Sequence, residues 1–151
     1  MLPEVITFLA RNASALDNID YDSWCDDFVE DCRYRVISVE NQLLGHDMPL
    51  MLMKNRNMIL DRILSLRQAN VYNIHRDTHM LGLPLLANGG GIVRAETPFT
   101  IYQTNQDGIA SLFCVGRYVD EIVTEGNRLK LRHRDVMVEN FAVIRLLSTP
   151  L

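Results

Sequence analysis

Residues 66–84 read Leu-Arg-Gln-Ala-Asn-Val-Tyr-Asn-Ile-His-Arg-Asp-Thr-His-Met-Leu-Gly-Leu-Pro, and they divide the chain in two. Helix signals end near Asn70 and strand signals begin near His79, which predicts a junction between a helix-rich first part and a strand-rich second part. The segment also carries chemistry, because Tyr72, His75, Asp77 and His79 stand between two apolar runs. Two histidines four residues apart share a metal ion only when both sit on one helical turn. On an extended chain they lie roughly 13 Å apart, so the junction argues against a local ligand pair.

Upstream, Asn55 or Asn57 can cap a helix running through Gln68, with Ile59, Leu60, Ile63, Leu64 and Leu66 inward and Asp61, Arg62 and Arg67 outward. Residues 45–53 hold Pro49 and three methionines, which suits an irregular or edge segment where thioether side chains fill uneven apolar gaps. Residues 33–39, with Tyr34, Val36, Ile37 and Val39, alternate as a strand does. From Pro3 to Leu16 the apolar residues Val5, Phe8, Leu9, Ala13 and Leu16 fall near helical spacing. Asp20 can cap a short second helix on which Tyr21, Trp24 and Phe28 lie three or four apart, leaving Asp22, Asp26, Asp27 and Glu30 on a solvated face. That acidic run lacks the glycine-turned spacing of a calcium loop.

Downstream, residues 80–87, 92–104, 109–123 and 128–138 are β-rich runs separated by short Gly- and Asn-containing turns, which predicts an antiparallel meander. In the last run Leu129 and Leu131 hold one phase, while Val136 and Val138 hold the other. A bulge around His133 to Asp135 would curve the sheet. Gly89 to Gly91 lack the strand-loop-helix context and the Lys-Ser/Thr pair of a phosphate loop, so they read as a hairpin turn. Helices followed by strands give a single α+β domain over residues 1–151, with helices packed on a curved, mostly antiparallel sheet.

Composition bounds the function. With 151 residues, 48% of them hydrophobic, the chain can bury a single core. A net charge of −4 with dispersed Lys and Arg gives no footprint for nucleic acid or an anionic membrane. No apolar run approaches a bilayer span, and the first residues lack a signal-peptide pattern. Cys25, Cys32 and Cys114 show no C-x-x-C spacing, which fits a reducing cytoplasm.

Several stretches carry a family resemblance along nearly the whole chain. Trp24-Cys-Asp-Asp-Phe-Val-Glu-Asp-Cys-Arg-Tyr-Arg-Val36, Asp61-Arg62-Ile63-Leu64-Ser65-Leu66-Arg67, Gly116-Arg117-Tyr118-Val119-Asp120 and the ending at residues 146–151 resemble the small (beta) subunits of Rieske-type aromatic-ring-hydroxylating oxygenases. Ala69-Asn70, Tyr72, His75-Arg76, His79 and Leu81-Gly82-Leu83-Pro84 look like the subgroup of terephthalate, salicylate and anthranilate oxygenases. Two departures are Lys54-Asn55-Arg56, where many members carry an acidic pair, and Asp77-Thr78 before His79.

The resemblance implies the cone-shaped fold shared with nuclear transport factor and scytalone dehydratase. It implies a non-catalytic structural and assembly subunit, with no cofactor in this chain. The partner large (alpha) subunit would carry a Rieske [2Fe-2S] cluster and mononuclear Fe(II), and would hydroxylate a carboxylated aromatic ring with O2 and NADH-derived electrons delivered by ferredoxin and reductase components. The beta chains would self-trimerise within an α3β3 assembly in the bacterial cytoplasm.

Tyr72, His75, Arg76, His79, Arg117 and Asp120 are the subunit-contact candidates. The alternative is a stand-alone cone-fold dehydratase or isomerase using Asp27, Tyr34, His79 and His133 as a pocket acid/base set. Phe141, Val143, Ile144, Leu146 and Leu147 are too apolar for a free tail, and predict that the C-terminal run docks on the domain or on a neighbouring subunit.

Overall fold

The computed structural model describes residues 1–46, 48–68, 74–139 and 149–151. Tyr72 and the run from Phe141 to Leu147 fall outside the described residues.

Helix α1 spans Leu2–Asp17 and buries Val5, Phe8, Leu9, Asn12, Ala13 and Leu16. It ends at a tight turn in which Ile19 adopts φ 59°, with Asp20 N–H donating to the Ala15 carbonyl at 2.8 Å. Left-handed backbone is costly for a β-branched residue. Helix α2, Tyr21–Asp26, is capped by the Asp20 carboxylate, which accepts from Ser23 N–H at 3.2 Å. This helix is shorter than its periodicity predicts, because Phe28 already belongs to strand β1, Phe28–Ser38. Two of the acidic residues assigned to a solvated helix face therefore lie elsewhere. Glu30 is on β1, and Asp27 is only 2% exposed.

Strand β1 starts five residues earlier than its alternation predicts, and Val39 opens a short helix instead of extending it. Helix α3, Val39–Leu43, is capped by Ser38. Strand β2, Met51–Met53, pairs with β1 alone and forms one edge, as its methionines and the preceding Pro49 imply. Helix α4, Arg56–Gln68, takes its cap from Asn55, whose Oδ1 accepts from Met58 N–H at 2.9 Å. Ile59, Ile63 and Leu66 are buried, whereas Leu60 and Leu64 face outward, so the apolar stripe is narrower than expected.

The second part is β3 (His75–Leu81), β4 (Leu85–Gly89), β5 (Ile92–Asn105), β6 (Ala110–Glu125) and β7 (Arg128–Val138). Strand β3 begins at His75, four residues before the predicted start, and the single run over 80–87 is split in two. Gly82 approaches Pro98, donating its N–H to the Pro98 carbonyl at 2.8 Å, and Pro84 follows. Both β3 and β4 pair with β5, along different parts of its length. Gly90 and Gly91 both take positive φ between β4 and β5, the backbone of a tight hairpin turn.

The sheet order is β2-β1-β7-β6-β5-β3, with β4 on β5. All of these pairings are antiparallel except β1 with β7, which run parallel. Arg132 is the extra residue where β6 pairs Glu121 with His133 and Ile122 with Leu131. The phase slip expected near His133 is thus a bulge one residue upstream of it. A second irregularity inserts Phe113 between the partners of Ile101 and Tyr102. Bulges add twist and bend. Helices and sheet together enclose one core that includes Trp24, Phe28, Tyr34, Ile59, Ile101, Ile122 and Leu131.

Candidate functional site

The interior of the fold holds a connected polar chain. From β7, Arg134 donates Nε and Nη2 to both Asp120 oxygens at 2.8 Å each, and Nη1 to Asn12 Oδ1 at 2.6 Å. Asn12 donates to Asp27 at 3.1 Å, and Arg11 closes the chain on the other Asp27 oxygen at 2.9 Å. The Arg134 guanidinium lies 4.2 Å over the Tyr118 ring, which stacks on Phe99 at 4.4 Å. Burial pushes the Asp120 carboxyl up while the adjoining guanidinium opposes that shift. Burial works against the charge on Arg134, and the Asp120 carboxylate more than compensates, so the guanidinium is held above its ordinary value.

Tyr34, also in the interior, accepts from Leu151 N–H at 2.8 Å and donates to the Leu151 main-chain oxygen at 3.0 Å. Burial raises the Tyr34 phenol well above its ordinary value. Its ring makes edge contacts with Trp24 at 5.6 Å and Phe28 at 6.2 Å.

The edge strand β3 alternates. His75, Asp77, His79 and Leu81 face the body of the fold, and Arg76, Thr78 and Met80 face out. His79 Nδ1 lies 2.5 Å from an Asp17 oxygen, and the His79 main-chain N–H donates to the same carboxylate at 3.0 Å. His75 Nε2 lies 3.4 Å from Asp77, whose other oxygen accepts from Thr149 at 3.5 Å. The two histidines therefore have separate carboxylate partners, as extended spacing requires. Among the described residues no group of three His, Cys, Asp or Glu side chains is placed to hold a metal ion.

Each of the four residues of the acid/base alternative is engaged by a partner outside that set. Asp27 is engaged by Arg11 and Asn12, Tyr34 by Leu151 and His79 by Asp17. His133 sits 3.2 Å from Glu121, its cross-strand partner. Of the contact candidates, Arg76 is exposed and Arg117 is half-exposed between Glu96 at 3.3 Å and Glu139 at 3.0 Å. Asp120 is a correction: at 1% exposure its side chain serves the interior through Arg134, and is withdrawn from any outer contact. The carboxylate points inward because β6 alternates between faces, a phase the Gly-Arg-x-x-Asp pattern does not reveal by itself.

Sequence reading missed a surface. On the outer face of the sheet, Thr78 pairs with Tyr102 and Tyr102 with Leu112, while Met80 pairs with Thr100 and Thr100 with Val115. Met80, Tyr102, Leu112 and Val115 are all exposed. Contiguous exposed apolar rows mark contact surfaces more often than isolated residues do. The alternation within 92–104 and 109–123 carried the signal, but the Phe113 bulge obscured which residues share a face.

The pattern of the family described as ring hydroxylating beta subunit matches residues 11–145. The chain is 32% identical to subunit beta 1 of the terminal oxygenase component of terephthalate 1,2-dioxygenase from a Comamonas species, over 98% of this chain and 97% of that one. It is also 32% identical to the small subunit of anthranilate 1,2-dioxygenase from Burkholderia cepacia, over 98% and 92%. Among solved structures, the provisionally assigned beta subunit of an aromatic-ring-hydroxylating dioxygenase from Novosphingobium aromaticivorans superposes with a TM-score of 0.90 at 30% identity, covering 99% of this chain and 96% of that one. An α+β fold matched along nearly its whole length by oxygenase small subunits leads to one assignment: the chain belongs to the ring-hydroxylating beta subunit family and is a component of a ring-hydroxylating dioxygenase.

Proposed function

We propose that this chain is the structural beta subunit of an oxygenase that hydroxylates a carboxylated aromatic ring in the bacterial cytoplasm. The observation that carries the reading is similarity to terephthalate and anthranilate dioxygenase small subunits over nearly the entire chain. Its large partner supplies the Rieske cluster and mononuclear iron, receives NADH-derived electrons through ferredoxin and reductase components, and activates O2. Three beta chains form a trimer that supports three alpha chains.

In this reading the beta subunit's task is assembly. The exposed rows around Met80, Tyr102, Leu112 and Val115, flanked by Arg76 and Arg117, supply an apolar centre with a charged rim, which suits a protein interface. His79 holds β3 against α1 through Asp17 behind that surface, His75 pairs with Asp77 of the same strand, and Tyr72 belongs to the proposed contact set. No residue of this chain is assigned a step in oxygen chemistry.

Co-expression with the large subunit encoded beside it, followed by sizing and mass measurement, tests the reading. A complex containing equal numbers of both chains and oxidising terephthalate or anthranilate is expected. A stable beta monomer with no affinity for the large subunit would overturn it. Replacing Leu112 with Asp is expected to abolish assembly while leaving the thermal transition of the isolated chain within a few degrees. Arg76→Ala is expected to weaken assembly several-fold, and unchanged assembly and electron transfer would remove Arg76 from the contact set.

A further inference from the structure

The outer face of β1 carries a separate set of charges, turned away from the core. Alternation along β1 buries Cys32 and Tyr34 and directs Arg33 and Arg35 outward. Antiparallel pairing sets Leu52 of β2 opposite Arg35, and Lys54 leaves β2 directly after Met53, the partner of Tyr34. Together with Asp31, Cys32 and Pro49, these residues line a cleft of about 300 Å³. That volume is enough for a small ligand.

The charges in the cleft do not cancel. Arg35 engages both oxygens of Asp135 at 2.9 Å each, whereas Arg33 reaches the same carboxylate through Nη2 alone, at 3.3 and 3.4 Å. One carboxylate thus serves two guanidiniums, and the Arg33 side chain stays 41% exposed. Among the described residues no carboxylate pairs with the exposed Lys54 ammonium, and Asp31 at the rim pairs with no cation. Burial pushes the Cys32 thiol up to about 11, so it adds no charge at neutral pH. Three cations therefore face the two carboxylates of Asp31 and Asp135, an excess of one positive charge.

That excess selects the ligand. A monoanion balances it, while a dianion would bring surplus negative charge beside Asp31 and Asp135. Guanidinium donors match a planar carboxylate, and Pro49 and Leu52 add an apolar wall next to the cationic one. We propose that this cleft binds a small organic monocarboxylate, its carboxylate received by Arg33 and Lys54 and its aryl or alkyl body laid against Pro49 and Leu52. The Arg35–Asp135 pair is the fixed floor of the site. The site depends on this chain alone and not on its assembly with a large subunit.

The sequence supplies its own reporter. It contains two lysines, Lys54 in the cleft and Lys130, which pairs with Glu125 at 3.2 Å on the β6–β7 hairpin. Reductive methylation with isotope-labelled formaldehyde keeps both charges and gives each lysine its own NMR signal, assigned with Lys54→Arg. Titrating the full chain with benzoate is expected to move the Lys54 signal saturably and leave Lys130 in place. Acetate, which lacks the apolar body, binds several-fold more weakly, and neutral benzamide gives no saturable shift. Arg33→Gln weakens benzoate by about 3–10-fold. Equal or non-saturating shifts at both lysines would overturn the proposal, since they report ionic screening only. Benzamide acting as benzoate does, inorganic phosphate binding as tightly as benzoate, or an affinity indifferent to Arg33→Gln would each overturn it as well. Should Arg33→Gln lose the fold, Lys54→Gln titrated calorimetrically makes the same comparison, and an unchanged benzoate affinity there removes the site.

Discussion

Arg134 is the residue on which the polar interior depends. It is fully buried, with three hydrogen bonds to Asp120 and Asn12, and through Asn12 it is tied to Asp27 and Arg11. Removing one member of a buried pair leaves the other uncompensated, so Asp120→Asn is expected to cost about 3–5 kcal/mol, measured by urea unfolding. Asp77 responds to pH. Burial pushes its carboxyl above the ordinary 3.8, against the opposing pull of His75 and His79. The folded chain then binds the proton more tightly than the unfolded one, so this group's contribution is complete below pH 3.8 and is lost as pH rises through the raised value. Asp77→Asn lacks that loss, and its Tm relative to the parent is expected to climb as the pH rises from 3.8 toward neutrality. An unchanged difference across that range would contradict the assignment. At this scale the sequence is only partly legible. Asp27 reads as solvent-facing because helical spacing continues past Asp26, whereas its burial is set by Asn12, fifteen positions away.

Elements show the cost of local compromises. Gly116 on β6 lies so close to the Met137 carbonyl of β7 that a Cβ would collide with it, and the Phe99 ring stands 3.0 Å from the same point. Gly116→Ala is expected to destabilise the fold by about 3 kcal/mol, because backbone on one side and a packed ring on the other leave no flexible neighbour to yield. Ile19 presents the opposite case. Its positive φ ends α1, and its side chain is 56% exposed. Ile19→Gly removes a steric penalty without losing buried contacts, and is expected to raise stability by about 1 kcal/mol, or roughly 2–4 °C in Tm. The long elements are readable from periodicity: α1, α4 and the strands β5 to β7 lie close to where spacing puts them. Short ones are not. Helix α3 follows a capping serine inside a β-like run, and the break between β3 and β4 comes from contact between Gly82 and Pro98, sixteen positions apart in sequence.

The whole molecule is an oxygenase-component chain whose family was legible in the order of several weak motifs along the chain, and whose fold class followed from helices preceding strands. What local reading could not supply is the closure of the sheet. Strand β1 lies parallel to β7, and Arg35 meets Asp135 across 100 positions of sequence. No periodicity announces a pairing at that separation, since the residues concerned are ordinary alternating strand residues. The outward apolar rows were hidden for a similar reason, because two strands had to be placed in register before Tyr102 and Leu112 became neighbours. The parallel closure also fixes an order of events during synthesis. Strand β1 leaves the ribosome with one edge that β2 covers and another that only the last strand can cover. At a translation rate of about 5–20 residues per second, that edge waits for several seconds. Until β7 emerges the nascent chain is expected to keep that edge unpaired, and a ribosome stalled between the two strands would hold an incomplete intermediate with an open strand edge.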